Sequence, residues 1–115
     1  MIQIKRIYDE PATTDGMRVL VDRLWPRGVS KDRAAIDLWL KEVAPSSELR
    51  VWFDHKPERF KEFSAKYTDE LSTNPAVYQL KEIIRTNPNT TLLYAAKDSS
   101  ANHALVLLGF LKQNI

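Results

Sequence analysis

Apolar and polar positions alternate at the start of the chain, and strand-like patterns recur twice later. Residues 2–7 alternate, which predicts a first β-strand that ends near Tyr8. Turn-forming residues fill 9–16, and the apolar run at 18–21 predicts a second strand. The segment 91–96 is short and nearly uninterrupted in its apolar character, as expected of a strand buried in a parallel sheet.

Helical signals occupy the middle of the chain. Ser30 is expected to cap a short helix over 31–35, and Ser46 a second helix that runs through Phe53. Pro57 suits the first position of a longer helix, in which aromatic and aliphatic residues recur every three or four positions. That apolar stripe consists of Phe60, Phe63, Tyr67 and Leu71.

Two further helices are predicted toward the end of the chain. One begins at Asn74-Pro75 and stops at Asn87-Pro88. The other covers 101–111, is apolar on nearly every side, and is expected to be capped by Asp98, Ser99 or Ser100. The pattern at 36–43 fits either a helical turn or an irregular buried segment.

This order of elements predicts one small α/β domain over residues 1–115, with a short, mostly parallel sheet flanked by helices. A chain of 115 residues is long enough for one compact core and too short for two. The pattern of apolar residues does not determine an oligomeric state.

Composition narrows the class of protein. The chain is 43% hydrophobic and 28% charged, as is ordinary for globular domains. The absence of cysteine excludes disulfides, thiolate catalysis and cysteine-ligated metals. We find neither a signal peptide nor an apolar run of membrane-spanning length, so we expect a cytoplasmic protein without a membrane partner. A net charge of +2 gives little support to non-specific nucleic-acid binding.

The candidate chemistry follows the predicted strands. In α/β proteins, ligands bind at the carboxyl ends of the strands. The run 22–28, Asp-Arg-Leu-Trp-Pro-Arg-Gly, follows the second strand, and polar residues also follow the other two. The ligand-binding candidates are Arg6, Tyr8, Asp22, Arg23, Trp25, Arg27, Lys97 and Asn102.

These residue types suit an anionic, ring-bearing ligand. Arginine binds phosphate or carboxylate through two parallel hydrogen bonds, and Trp25 offers a ring for stacking. His103 is the candidate general acid–base, with Asp98 placed to orient it, so the two are the catalytic candidates. The structural alternative is that Asp22 pairs with neighbouring arginines to fasten the loop and that His103 packs beside its helix.

Other chemistries have weaker support. No Gly-x-Ser-x-Gly turn, phosphate loop or dinucleotide fingerprint is present, and the sequence leaves the cofactor unknown. A metal site built from Asp22, Asp98 and His103 lacks the usual ligand spacing, so no metal is expected.

Several segments resemble domain-of-unknown-function family 488, the YeaO-like proteins. They occur in the same order over nearly the whole chain and comprise 18–28, 44–46, 49–50, 52–53 with His55, 92–94, 97–98 and 102–104. The resemblance implies a small bacterial or archaeal cytosolic α/β domain and brings no established activity. One departure is Lys56, where the family usually has aspartate, so a carboxylate cap on the helix that begins at Pro57 is not expected.

Three functions are consistent with these residues. The first is an enzyme acting on a phosphorylated or nucleotide-like small molecule, with Asp98 and His103 moving protons. The second is a binding module for nucleic acid or a small anion, without turnover. For nucleic acid it predicts an exposed stripe of cations, namely Arg18, Arg27, Lys31 and Arg33. The third is a structural or interaction protein.

Overall fold

A computed structural model describes residues 1–114 and contains a four-stranded sheet. The strands are β1 (Ile2–Arg6), β2 (Met17–Leu20), β3 (Leu38–Trp39) and β4 (Thr90–Tyr94). Their order is β1-β4-β2-β3, and every neighbouring pair is parallel. The α/β fold class with a parallel sheet is therefore confirmed, and the three predicted strands lie within two residues of the observed ones.

The α-helices cover the sheet and its edges. They are α1 (Lys31–Ala34), α2 (Ser47–Phe53), α3 (Phe60–Ser72), α4 (Ala76–Thr86) and α5 (His103–Asn114). Short 3-10 turns occur at Thr13–Asp15, Lys41–Val43 and Pro57–Arg59. No helix in the described part of the chain has the length and apolar character needed to cross a membrane.

Two serine caps predicted from the sequence are confirmed. The Ser30 hydroxyl accepts a hydrogen bond from the Arg33 N–H at 3.1 Å, and the Ser46 hydroxyl accepts one from the Leu49 N–H at 3.2 Å. Each cap satisfies a backbone donor that a helix leaves free at its first turn. At Lys56 no side chain caps the following turn, as its lack of an acceptor predicts.

The cap of α5 differs from the prediction. Asn102 fills this role, because its Oδ1 accepts from the Leu105 N–H at 3.0 Å. Asp98 instead closes a turn before the helix, where its Oδ1 accepts from the N–H groups of Ser100 and Ala101 at 2.8 and 3.1 Å. The helix therefore begins at His103 rather than Ala101.

The ambiguous segment 36–43 contains β3 and a 3-10 turn. The backbone of Asp37 donates to Arg18 O at 2.8 Å, and that of Leu40 donates to Leu20 O at 2.9 Å. Pairing with β2 therefore decides the conformation of a segment whose own pattern was consistent with two structures.

The two faces of the sheet bury different sets of side chains. On one face, Val19, Val21 and Leu92 pack against residues from α2, α3, α4 and α5. On the other, Leu20 and Leu93 pack against loop residues and α1. Successive residues of β2 and β4 thus point to opposite faces, as strand geometry requires.

The carboxyl ends of the strands meet at one edge. Arg6 pairs with Tyr94, and Leu20 pairs with both Leu93 and Trp39. The segments that follow the strands therefore leave the sheet side by side, which brings residues far apart in sequence into one region.

Candidate functional site

An open cleft of about 620 Å³ lies at this edge of the sheet. Its walls come from the segments after β1, β2 and β4, from the start of α5, and from α2 with the residues on either side of it, and α3 adds one residue. The lining residues are Tyr8, Asp22, Arg23, Leu24, Trp25, Pro26, Arg27, Ala44, Pro45, Arg50, Phe53, His55, Phe63, Ala95, Ala96, Lys97, Asp98, Ala101, Asn102 and His103. Nine of the ten candidates named from the sequence are among them, and Arg6 is not.

Arg6 lies behind the cleft wall and supports it. Its Nε donates to Ala96 O at 2.9 Å and its Nη2 donates to Ala95 O at 3.2 Å. The guanidinium also lies 4.9 Å from the centre of the Tyr8 ring, a cation–π distance. Arg6 therefore holds the segment after β4 in place and does not face a ligand in the cleft.

Asp22 and His103 form a pair that joins β2 to the start of α5. His103 Nε2 lies 3.1 Å from Val21 O and 3.0 Å from Asp22 Oδ1. Both neighbours are acceptors, so Nε2 carries a hydrogen. Asp22 Oδ2 in turn accepts from the Ala95 N–H at 3.0 Å. The carboxylate that contacts His103 is thus Asp22 and not Asp98, which the sequence had suggested.

Asp98 and Asn102 are occupied in local hydrogen bonds. Beyond the Asp98 turn and the α5 cap, Asn102 Nδ2 donates to Asp98 O at 2.8 Å. Asn102 is only 1% exposed. These two side chains organise the backbone of the wall, and the buried amide of Asn102 is used at both ends.

The loop 22–29 is fastened by side chains to the backbone. Trp25 Nε1 donates to Val29 O at 2.7 Å, and Tyr8 Oη donates to Arg27 O at 2.9 Å. Arg23 connects the loop to the segment before α2. Its Nε donates to Pro45 O and its Nη2 donates to Ala44 O, both at 3.1 Å. The loop therefore forms a fixed wall of the cleft.

Three cations on the rim form no ion pair with residues 1–114. Arg27, Arg50 and Lys97 are exposed, and the ion pairs found within residues 1–114 do not include them. Arg27 and Lys97 were candidates from the sequence, whereas Arg50 was not. The signal for Arg50 was its place in a segment shared with the YeaO-like proteins, although the residue follows no strand.

His55 also lines the cleft and was not among the site residues chosen from the sequence. It is exposed and has a positive φ of 54°, directly after Asp54 with a φ of 50°. Its ring centroid lies 6.4 Å from that of Phe53. Two consecutive left-handed residues reverse the chain between α2 and the turn at Pro57–Arg59, and so bring His55 to the cleft.

Tyr67 lies within the core, near the Asp22–His103 pair. Its Oη donates to Val43 O at 2.7 Å, and its ring centroid is 6.4 Å from that of His103. Burial raises the pKa of Tyr67 well above its ordinary value, and the negative charges of Glu70 and Asp22 add to this effect. The phenol therefore stays protonated at neutral pH and acts as a fixed hydrogen-bond donor.

The cationic stripe expected for a nucleic-acid binder does not form with Arg18. This residue is 5% exposed, pairs with Asp15, and donates to the carbonyls of Ala34 and Ala35 at 2.9 and 3.0 Å. Within residues 1–114, no three His, Asp or Glu side chains come together in a way that could hold a metal ion.

Comparison with known proteins identifies the family. The profile described as "Inactive DUF488-N3 subclade" matches residues 1–115. The chain belongs to this subclade. The DUF488-N3 assignment agrees with the resemblance to YeaO-like proteins noted from the sequence.

Relatives of this DUF488-N3 chain match it over nearly their whole lengths. The "Uncharacterized protein YeaO" of Escherichia coli (strain K12) is 45% identical over 112 residues, which cover 96% of each chain. The "Uncharacterized protein Rv3073c" of Mycobacterium tuberculosis (strain ATCC 25618 / H37Rv) is 41% identical over 106 residues, 92% of this chain and 89% of the relative. No solved structure gives a significant match.

Proposed function

We propose that this protein binds a small organic anion in the cleft and does not convert it chemically. The observation that carries this proposal is the unpartnered cationic rim, formed by Arg27, Arg50 and Lys97. Within residues 1–114, the acidic residues that share the cleft form no ion pair with these three cations. Asp22 is held by His103 and the Ala95 N–H, and Asp98 by two backbone N–H groups.

Binding without turnover is supported by the position of Asp98. A general base needs a free nitrogen held within reach of the proton that it removes. His103 Nε2 carries a hydrogen, which leaves Nδ1 as the free nitrogen, and Asp98 accepts from backbone N–H groups and does not orient the ring. The subclade description, "inactive", is in keeping with this function. The alternative, that His103 and Asp98 transfer protons, is therefore the weaker proposal.

The phosphorylated or nucleotide-like ligand expected from the arginines remains one candidate within this proposal. Nucleic acid is a weaker candidate, since Arg18 is buried and the remaining cations surround a concave cleft. A purely structural role would not explain the three rim cations, because their side chains form no ion pair within residues 1–114 that would hold a loop in place.

Isothermal titration calorimetry tests the proposal with four anions: benzoate, octanoate, ribose 5-phosphate and AMP. We expect at least one to bind, and Arg27→Gln or Arg50→Gln to weaken that binding about tenfold or more, because each removes a charge-assisted hydrogen bond. Lys61→Gln is the matched control, since Lys61 is exposed on α3 and lies outside the cleft.

Three results would contradict the proposal. The first is that none of the four anions binds, and the second is that Lys61→Gln weakens binding as much as the rim substitutions. The third is that nuclear magnetic resonance spectra show the wild type, but not His103→Gln, converting the bound anion to product.

A further inference from the structure

The buried lining residues of the cleft are apolar, with the exception of Asn102. Phe53 and Phe63 are 6% and 1% exposed, and their rings stack with centroids 4.3 Å apart. Pro26 and Pro45 are also buried and belong to the loop 22–29 and to the segment before α2. The interior of the cleft is therefore suited to an apolar group, which gains free energy when it leaves water.

Most polar groups of the cleft are already hydrogen-bonded within the protein. Asn102 uses both ends of its amide, and Tyr8 Oη and Trp25 Nε1 each donate to a backbone carbonyl. Asp22 Oδ1 is the exception: it is closed to solvent and makes no hydrogen bond within residues 1–114, although it lies 3.0 Å from His103 Nε2. A ligand that brings hydroxyls or a base edge into the interior would leave them without partners, which costs free energy for each group.

Charge and apolar surface are separated by depth. The unpartnered cations Arg27, Arg50 and Lys97 are exposed, whereas the aromatic side chains lie inside. Leu24 adds apolar surface at the rim, because it is 60% exposed and lines the same cleft. The arrangement matches a molecule with an anionic head and a hydrophobic body.

We propose that the ligand is an amphipathic organic acid, with a carboxylate at the rim and an aryl or medium-length alkyl body without hydroxyls inside the cleft. The inference rests on the proposed function and specifies its ligand class. It favours this class over the phosphorylated or nucleotide-like molecule that the arginines alone suggest, because a ribose and a base need more polar partners than this interior offers.

Titration calorimetry with straight-chain carboxylates from butanoate to octanoate tests the apolar interior. Each added methylene should raise the affinity roughly fourfold, from the ~0.8 kcal/mol gained by burying one methylene. Octanol, which has the same body without the charge, and AMP, which has the charge without an apolar body, should each bind at least tenfold more weakly than octanoate.

A pair of surface substitutions tests the place of binding. Leu24→Ser should weaken octanoate binding about threefold to tenfold, because it removes apolar surface at the rim. Val51→Ser is the matched control: Val51 is 70% exposed and does not line the cleft, so octanoate should bind as in the wild type.

The outcomes separate the two proposals. If AMP or ribose 5-phosphate binds more tightly than octanoate, or affinity does not rise with chain length, the amphipathic-acid inference is overturned while anion binding stands. If the carboxylates, AMP and ribose 5-phosphate all fail to bind, both proposals fail. Equal effects of Leu24→Ser and Val51→Ser would overturn the assignment of the ligand to this cleft.

Discussion

Asp15 illustrates how a single buried charge is stabilised in this protein. It is 2% exposed and pairs with Lys5 and Arg18, and it also accepts from the Ala12 N–H at 2.9 Å. Burial acts to raise the pKa of Asp15, but these hydrogen bonds and the positive charge of Lys5 outweigh it, so the pKa lies below its ordinary value. The carboxylate is thus more easily ionised in the folded state than in the unfolded chain.

The lowered pKa gives stability a defined dependence on pH. The contribution of Asp15 is present above the pKa of the unfolded state and is lost as pH falls through the lower pKa of the folded state. Asp15→Asn should lower the free energy of unfolding at pH 7 by about 3 kcal/mol or more, because it leaves buried Arg18 without a counter-charge. The difference in the free energy of unfolding between this variant and the wild type should shrink as the pH falls into the acid range, because Asp15 of the wild type then becomes protonated.

Urea denaturation between pH 7 and pH 2 measures this effect. Glu82→Gln is the control, since Glu82 also pairs with an arginine, Arg85, but both side chains are exposed. That variant should remain close to the wild type across the range. A loss in Asp15→Asn that is the same at pH 2 as at pH 7 would show that the charge is not what stabilises the fold.

Gly16 is a residue whose identity is set by its surroundings. Its φ is +65°, and a Cβ at this position would lie 2.1 Å from Asn89 O. Gly16→Ala should destabilise the protein by about 1–3 kcal/mol from the left-handed backbone alone, and the clash adds to this. Gly109→Ala in α5 is the contrasting change: its Cβ meets open space, so it should stabilise by about 0.5–1 kcal/mol. Thermal denaturation measures both, and a stable Gly16→Ala protein would contradict the argument.

At the scale of elements, caps position the helices and also join them. The Ser46 hydroxyl caps α2 and donates to Glu70 Oε2 on α3 at 2.6 Å, and the Ser46 N–H donates to Glu70 Oε1 at 2.9 Å. One residue therefore ends the segment before α2, starts the helix, and connects it to its neighbour. This connection holds Phe53 and Phe63, which belong to these two helices, in register at the base of the cleft.

Replacing Ser46 should affect both helices. Ser46→Ala removes the cap and the hydrogen bond to Glu70, and should lower the free energy of unfolding by about 1–2 kcal/mol. The adjacent Ser47→Ala is the control, because Ser47 is exposed and belongs to the first turn without capping it. Chemical denaturation of both variants measures the difference. Equal stabilities of the two would show that the cap contributes nothing.

At the scale of the whole molecule, β4 is the centre of the fold. It pairs with β1 on one side and β2 on the other, and all five of its residues are buried. Amide groups in such a strand are released only when the whole domain unfolds, whereas elements with few buried contacts open locally. The late position of β4 in the sequence means that the sheet is completed only when the last third of the chain has joined it.

Hydrogen exchange followed by nuclear magnetic resonance tests this central role. The amides of β4 should exchange most slowly, with a free energy of opening equal to that of global unfolding. Those of α1, a helix of four residues with one buried side chain, should exchange many times faster. Slower exchange in α1 than in β4 would place the stable centre elsewhere.

Much of this organisation could be predicted from local patterns. Period-two alternation placed β1, apolar runs placed β2 and β4, and the stripe from Phe60 to Leu71 placed α3. Ser30 and Ser46 act as caps because a hydroxyl beside a helix start meets its own backbone donors. Such features need only neighbouring residues, so the sequence contains the information directly.

The partners of individual side chains could not be predicted in this way. β3 forms because β2 offers backbone partners. Arg50 lies on α2 where that helix borders the cleft, and His55 reaches the cleft through the turn that follows α2. Asp98 was chosen as the partner of His103 because it is five residues away, yet Asp22, 81 positions distant, makes the contact. The alternation of strands and helices, the caps at Ser30 and Ser46 and the presence of a cationic aromatic loop were determined by the sequence itself. Which charges are paired and which remain free was decided by the tertiary structure, because pairing depends on distances that the folded sheet alone sets.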